Sequence, residues 1–111
     1  MKKKIICIIL ARGGSKGLKR KNVRKINGKP LIYYPIKDAI KTKMIDDIIV
    51  STDDKEIASL AKKYGAKVPF MRPSKLAGDL ATTEACLKHA LITYEKITNV
   101  KFDLGVFLGP T

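Results

Sequence analysis

The run Ile5-Ile6-Cys7-Ile8-Ile9-Leu10 constrains this chain more than any other stretch. It is continuous, β-branched and short. That is the pattern of a strand buried on both faces, and so of a parallel sheet. With Ala11 it forms the longest apolar run in the sequence, seven residues. A membrane helix needs roughly 20. Met1-Lys2-Lys3-Lys4 ahead of it imitates the start of a signal peptide. Arg12 ends the run, however, and a Gly-Lys-rich stretch stands where a small-residue cleavage site would be. A cytoplasmic protein is expected.

The rest of the chain alternates helical and extended patterns. Leu31 to Thr42 carries Ile32, Ile36, Ala39 and Ile40 at helical spacing. Pro35 must then fall in the first turn, where a missing N–H costs nothing. Asp47 to Ser51 reads as a second strand. Asp53 and Glu56 have capping-box spacing for a helix whose inner face is Ile57, Leu60, Ala61 and Tyr64, stopped at Gly65. Ala66 to Met71 reads as a third, shorter strand, and residues 72–81 as a loop. Thr82 or Thr83 caps a further helix to about Ile97, with Leu87, Ala90, Leu91, Tyr94 and Ile97 inward. Asp103 to Leu108 reads as a fourth strand. This order predicts an α/β fold with a parallel sheet. In such sheets ligands bind beyond the carboxyl ends of the strands. The segments leaving those ends are 11–29, 51–54, 72–83 and 109 onward. With 111 residues, 45% hydrophobic and 30% charged, the composition is that of one folded domain. Only Gly109-Pro110-Thr111 follows the last strand, so a truncated domain is expected. Cys7 and Cys86 lie in apolar periodic segments and are expected as buried thiols rather than a disulfide.

The charge is lopsided. Residues 1–29 hold eleven Lys or Arg and no acid, so they carry +11 of the net +13. Lys2, Lys3 and Lys4 read as a solvated surface. In residues 11–22, A-R-G-G-S-K-G-L-K-R-K-N, the charges are interleaved with small residues. Gly13, Gly14, Ser15 and Gly17 can form a backbone nest for an anion, with Arg12, Lys16 and Lys21 converging on it. Arginine supplies a planar fork and lysine a mobile point charge. Asn22 can hold a ribose hydroxyl or a base. The spacing is neither a Walker loop nor G-x-G-x-x-G.

Taken in order, A-R-G-G-S-K-G-L-x-x-K-N, N-G-K-P-L-I, I-I-V-S-T-D-D at 48–54 and R-P-x-x-L-A-G-D at 72–79 resemble the acylneuraminate cytidylyltransferase family, the CMP-sialic and CMP-nonulosonic acid synthetases. The resemblance covers essentially the whole chain, which looks like the N-terminal half of such a protein. It implies a three-layer α/β/α, Rossmann-like nucleotide-diphospho-sugar transferase fold with a mostly parallel sheet. Residues 1–111 would be the N-terminal, nucleotide-binding part of a single cytidylyltransferase domain. The implied reaction moves CMP from CTP to the anomeric hydroxyl of a nonulosonic acid and releases pyrophosphate. Mg²⁺ is implied as cofactor, with its ligands outside this chain, and a homodimer for the full-length protein. A fragment of this length is expected to be inactive alone.

Carried over by position, Arg12 and Lys21 are the expected catalytic cations. Arg12, Gly13, Ser15, Lys16, Lys21, Asn22, Arg72, Ala81 and Thr83 are the expected nucleotide-binding residues. Arg72 is placed near the cytosine, and Ala81 offers only its backbone. Asp53 is expected to cap a helix and Asp79 to shape its loop. Gly109 stands where the family usually has glutamine. His89 is expected to face water, and Tyr33 and Tyr34 to be packing residues. Two other readings remain: a nucleotidyltransferase for another sugar or a sugar phosphate, and a small basic nucleic-acid-binding protein. Against the second, the basic block is glycine-rich and lacks aromatic ladders. The expected partners are therefore CTP and a sugar acid, without nucleic acid or membrane.

Overall fold

Strand β1 (Ile5–Leu10) lies at the centre of a parallel sheet, between β4 (Asp47–Ser51) and β5 (Leu104–Leu108). Cys7 is in register with Ile48 on one side and Val106 on the other. The computed structural model describes residues 3–13, 23–78 and 81–108. Between the strands run helices α1 (Tyr33–Lys41), α2 (Lys55–Lys63) and α3 (Thr83–Thr98). A two-stranded hairpin, β2 (Lys25–Ile26) and β3 (Lys29–Pro30), precedes α1, and a 3₁₀ turn at Ser74–Leu76 precedes α3.

The alternation of side chains along β1 builds two cores. Cys7, Ile9 and Ala11 pack with Ile32, Ile36 and Ala39 beside α1 and with Ile57 and Ala61 of α2. Ile6, Ile8 and Ile49 pack with Ala90 and Tyr94 of α3 on the opposite face. The result is the expected three-layer α/β/α sandwich. Each such buried isoleucine contributes roughly 1.5–3 kcal/mol. The amino end of β1 is pinned by two aspartates. Asp103 Oδ2 accepts from Lys4 N–H at 2.8 Å, and Asp46 Oδ2 from Ile5 N–H at 2.7 Å. At that same end the Tyr94 hydroxyl donates to Asp47 Oδ2 at 2.5 Å, with Lys67 Nζ 3.6 Å from the same oxygen. Burial, then the bond to Asp47, raises the Tyr94 pKa. Both cysteines are free and buried.

Several expectations need correction. Ala66 to Met71 does not form a strand. One parallel bridge joins Lys67 to Ile49, and Pro69, with no N–H to donate, ends the pairing. Ile97 is 55% exposed, not inward. On α3 the buried stripe advances in steps of four through Cys86, Ala90 and Tyr94. Its next member is the half-buried Thr98 rather than Ile97. His89 does not face water. Its ring meets Phe70 edge-on at 5.3 Å, and its shielded Nδ1 has no hydrogen-bond partner. The irregular segment after Lys67 carries Phe70 onto this side of α3. Pro35 does fall in the first turn of α1, and Tyr33 packs edge-on against Tyr34 and Tyr64.

Candidate functional site

The strand order reverses at β1, because the chain goes first to β4 on one side and later to β5 on the other. The carboxyl end of β1 is therefore a topological switch point, where open α/β sheets place their ligands. Three of the segments singled out from the sequence meet there, and 51–54 is their common anchor.

Ala11 N–H donates to Ser51 O at 3.0 Å, extending the β1–β4 ladder by one bond. Two residues on, Gly13 N–H donates to Asp53 Oδ1 at 2.8 Å. A Cβ on Gly13 would lie 2.7 Å from Asp54 Oδ2 and 2.9 Å from Asp54 Cβ. Only glycine lets the first loop approach this closely. Asp54 is itself fixed as the N-cap of α2. Its Oδ1 accepts from Glu56 N–H and Ile57 N–H at 2.8 and 3.0 Å, and its own N–H donates to Thr52 Oγ1 at 3.1 Å. The cap is thus Asp54, not Asp53 as the spacing suggested, because Asp53 is turned to the first loop.

Arg72 ties the third segment to the same place. Its N–H donates to Thr52 O at 2.7 Å. Its guanidinium donates from Nε to Ser51 Oγ at 3.0 Å and from Nη2 to Ser51 O at 2.7 Å. Nη1 reaches Leu76 O at 3.4 Å. Leu76 O also accepts from Cys86 Sγ at 3.2 Å, which links the turn to α3. Arg72 is only 6% exposed, and Ser51 and Thr52 are wholly buried. Burial lowers the Arg72 pKa; Cys86 and Asp53 oppose that, and Arg12 adds to it. Arg12, Asp53 and Arg72 are therefore close enough to sense one another's charge. Arg12 brings the cation of the first loop to this edge, while the Gly13 N–H is taken by Asp53 and the Arg72 guanidinium by Ser51 and Leu76, so that these two hold the frame of the strand end.

Arg12, Gly13 and Arg72 are thus brought together at one sheet edge. Ala81, half-buried, donates its N–H to Gly78 O at 3.2 Å within the 72–81 loop. Thr83 is the exposed first residue of α3, behind the cap Thr82, whose Oγ1 accepts from Ala85 N–H at 3.0 Å. Ser15, Lys16, Lys21, Asn22, Asp79 and Gly109 lie outside the described residues. Sequence reasoning missed Ser51 and Thr52, the acceptors on which the other loops hang. Their one signal is a pair of small hydroxyl residues directly after an apolar strand. Among the described residues, no group of three or more His, Cys, Asp or Glu could hold a metal ion. No helix there is long and apolar enough to cross a membrane.

A family model described as cytidylyltransferase matches residues 6–103, which run from β1 to just before β5 and include the contacts of 11–13, 51–54 and 72–86 described here. The chain belongs to the cytidylyltransferase family. A pseudaminic acid cytidylyltransferase of Campylobacter jejuni is 48% identical over 88 residues, covering 79% of this chain and 38% of that protein. A CMP-N,N'-diacetyllegionaminic acid synthase of Legionella pneumophila is 40% identical over 108 residues, covering 97% of this chain and 46% of that protein. The chain therefore spans less than half the length of these relatives. The structure of a CMP:2-keto-3-deoxy-manno-octonic acid synthetase complexed with CTP superimposes with a TM-score of 0.75 at 25% identity, over 96% of this chain and 40% of that one. A cytidylyltransferase from Leptospira borgpetersenii gives 0.68 at 21% identity, which bears on the fold alone. Both bear out the nucleotide-diphospho-sugar transferase fold expected from the sequence.

Proposed function

We propose that this chain is the nucleotide-binding, N-terminal part of a single cytidylyltransferase domain, residues 1–111, which transfers CMP from CTP to the anomeric hydroxyl of a nonulosonic acid. The observation that carries the proposal is the convergence of the Arg12-Gly13 and Arg72 segments on 51–54 at the switch point. Family membership and the names of the relatives supply the base and the acceptor class. In the transfer, the sugar oxygen forms a bond to the α-phosphorus, and the bond from that phosphorus to the bridging oxygen of pyrophosphate breaks. The electron pair leaves with pyrophosphate, and the proton of the sugar hydroxyl is released to solvent. Such transfers depend on positioning and on charge neutralisation.

In this reading Arg12 and Lys21 neutralise the phosphates, with Gly13, Ser15 and Lys16 forming the rest of the anion loop. Asn22, Arg72, Ala81 and Thr83 present polar groups to the nucleoside. With its guanidinium bonded to Ser51, Arg72 sets the position of the 72–81 loop beside the base. The reading also takes the protein as cytoplasmic and the full-length form as a homodimer that uses Mg²⁺. The described residues do not by themselves fit that ion, and no step here runs through it.

Calorimetry at fixed salt tests the proposal. CTP should bind more tightly than ATP. Arg12→Ala and Lys21→Ala should each weaken CTP by about 1.5–3 kcal/mol while barely changing cytidine. Equal weakening of nucleoside and triphosphate would overturn the phosphate assignment.

A further inference from the structure

The sequence suggested a helix cap at Asp53, and the fold gives that task to Asp54. What Asp53 does instead follows from its hydrogen bond and its surroundings. Its Oδ1 accepts the Gly13 N–H at 2.8 Å, across 40 residues of sequence. Gly13 cannot move towards the 53–54 turn, because a Cβ there would already overlap Asp54. Asp53 also supplies the negative charge that Arg72 senses, where Arg12 supplies a positive one. The carboxylate thus sits where the first anion-loop residue, the β4 end and the Arg72 segment meet.

We infer that Asp53 is a positioning residue for triphosphate binding, one that fixes the Gly13 amide and ties the start of the anion loop to the end of β4. A loop held in this way loses less freedom when a polyanion binds, so the hydrogen bond acts on affinity through pre-organisation. Asp53 need not touch the ligand. A plain helix cap in its place would support α2 and leave the nucleotide unaffected.

The inference rests on the nucleotide-site reading, and the test separates the two. In the intact protein, Asp53→Ala should weaken CTP roughly tenfold or more, by loss of a charge-assisted bond. Cytidine binding should stay near wild type and the variant should still unfold cooperatively, since Asp54 keeps the cap. Asp53→Asn retains an oxygen acceptor for Gly13 and should restore CTP to within a few-fold of wild type. Amide exchange gives a second measurement that does not depend on the ligand. The Gly13 N–H should be protected in wild type and in Asp53→Asn, and should exchange faster in Asp53→Ala. Wild-type CTP binding with Asp53→Ala indistinguishable from it would overturn the inference and leave the site reading intact. An Asn variant as weak as the Ala variant would overturn the hydrogen-bond basis. Wild type that fails to bind CTP would overturn both readings. Should Asp53→Ala not fold, an unprotected Gly13 amide in wild type still refutes the inference.

Discussion

At the residue scale, the arginine that the sequence placed beside a base turns out to hold the frame. Arg72 spends Nε and Nη2 on Ser51 and its own N–H on Thr52, all in a buried setting. Removing it leaves the Ser51 carbonyl and hydroxyl without those donors. Arg72→Ala should therefore destabilise the protein by about 3 kcal/mol, on a scale of 1.5–3 per charged hydrogen bond. Arg72→Lys should recover little of this, because one ammonium cannot reproduce the geometry of the fork. Urea unfolding of the two variants checks this; an unchanged midpoint for Arg72→Ala refutes it. Arg72→Ala in the full-length protein should also alter CTP/UTP discrimination more than phosphate affinity, by letting the 72–81 loop drift. The sequence placed Arg72 at the carboxyl edge of the sheet, since that placement follows from order along the chain. Its partners were not legible, because they lie on β4, 21 residues away. The Asp53–Asp54 ambiguity has the same origin. Two adjacent carboxylates both fit a cap signal, and only the approach of Gly13 decides between them.

At the element scale, legibility followed the strength of the local pattern. β1, β4, α2 and α3 appear where their periodicity put them, because a buried strand and an amphipathic helix each declare their packing face. The Asn27-Gly28 hairpin was within reach. Both residues have positive φ, 52° and 82°, the conformation that an Asn-Gly turn supplies, yet the whole stretch read as loop. The missing third strand could have been foreseen from Pro69. Ile97 could not, since a helix pattern does not reveal where its stripe outruns the sheet. Burial of β1 has a consequence that can be measured. It pushes the Cys7 thiol from 9.0 up to about 11. Below pH 9 the thiol is protonated in both folded and unfolded chains. Between pH 9 and 11 the unfolded chain loses the proton and the folded one keeps it, so stability falls as pH rises through that window. The loss from this group is up to about 2–3 kcal/mol. Tyr94 and Lys67, both raised, act in the same direction. Urea unfolding from pH 8 upward should show the decline, less steeply in Cys7→Ala. At neutral pH Cys7 should resist thiol reagents until the protein unfolds. Stability that is flat to pH 11 would contradict this account of the burial.

At the scale of the whole molecule, the sheet order and the charge distribution point to the same edge. The switch point lies at the carboxyl end of β1, where the most basic segment of the sequence begins. The opposite, amino-terminal edge is held by Asp46, Asp47 and Asp103. Beside the site, α3 and β5 leave an apolar groove of about 710 Å³, lined by Ile8, Leu87, Leu91, Val106 and Phe107. Fold class was legible because alternating strands and helices permit few arrangements. The groove was not, because it depends on how α3 and the half-exposed β5 are spaced. The charge asymmetry leads to a final prediction. Residues 1–29 carry +11, so any polyanion is drawn to them, and that attraction weakens as the Debye length shrinks with salt. The choice of base is different in kind. CTP and ATP carry the same triphosphate, so the field acts on both equally and cancels in their ratio. From about 50 to about 300 mM salt, the affinities for CTP and ATP should both fall while their ratio stays constant. An RNA oligomer should fall far more steeply, because it releases more counterions. Competition binding across that series is the measurement. A CTP/ATP ratio near one at every salt concentration would mean that charge alone, without a base pocket, holds the nucleotide, and the basic block would then have to be read as a nucleic-acid surface.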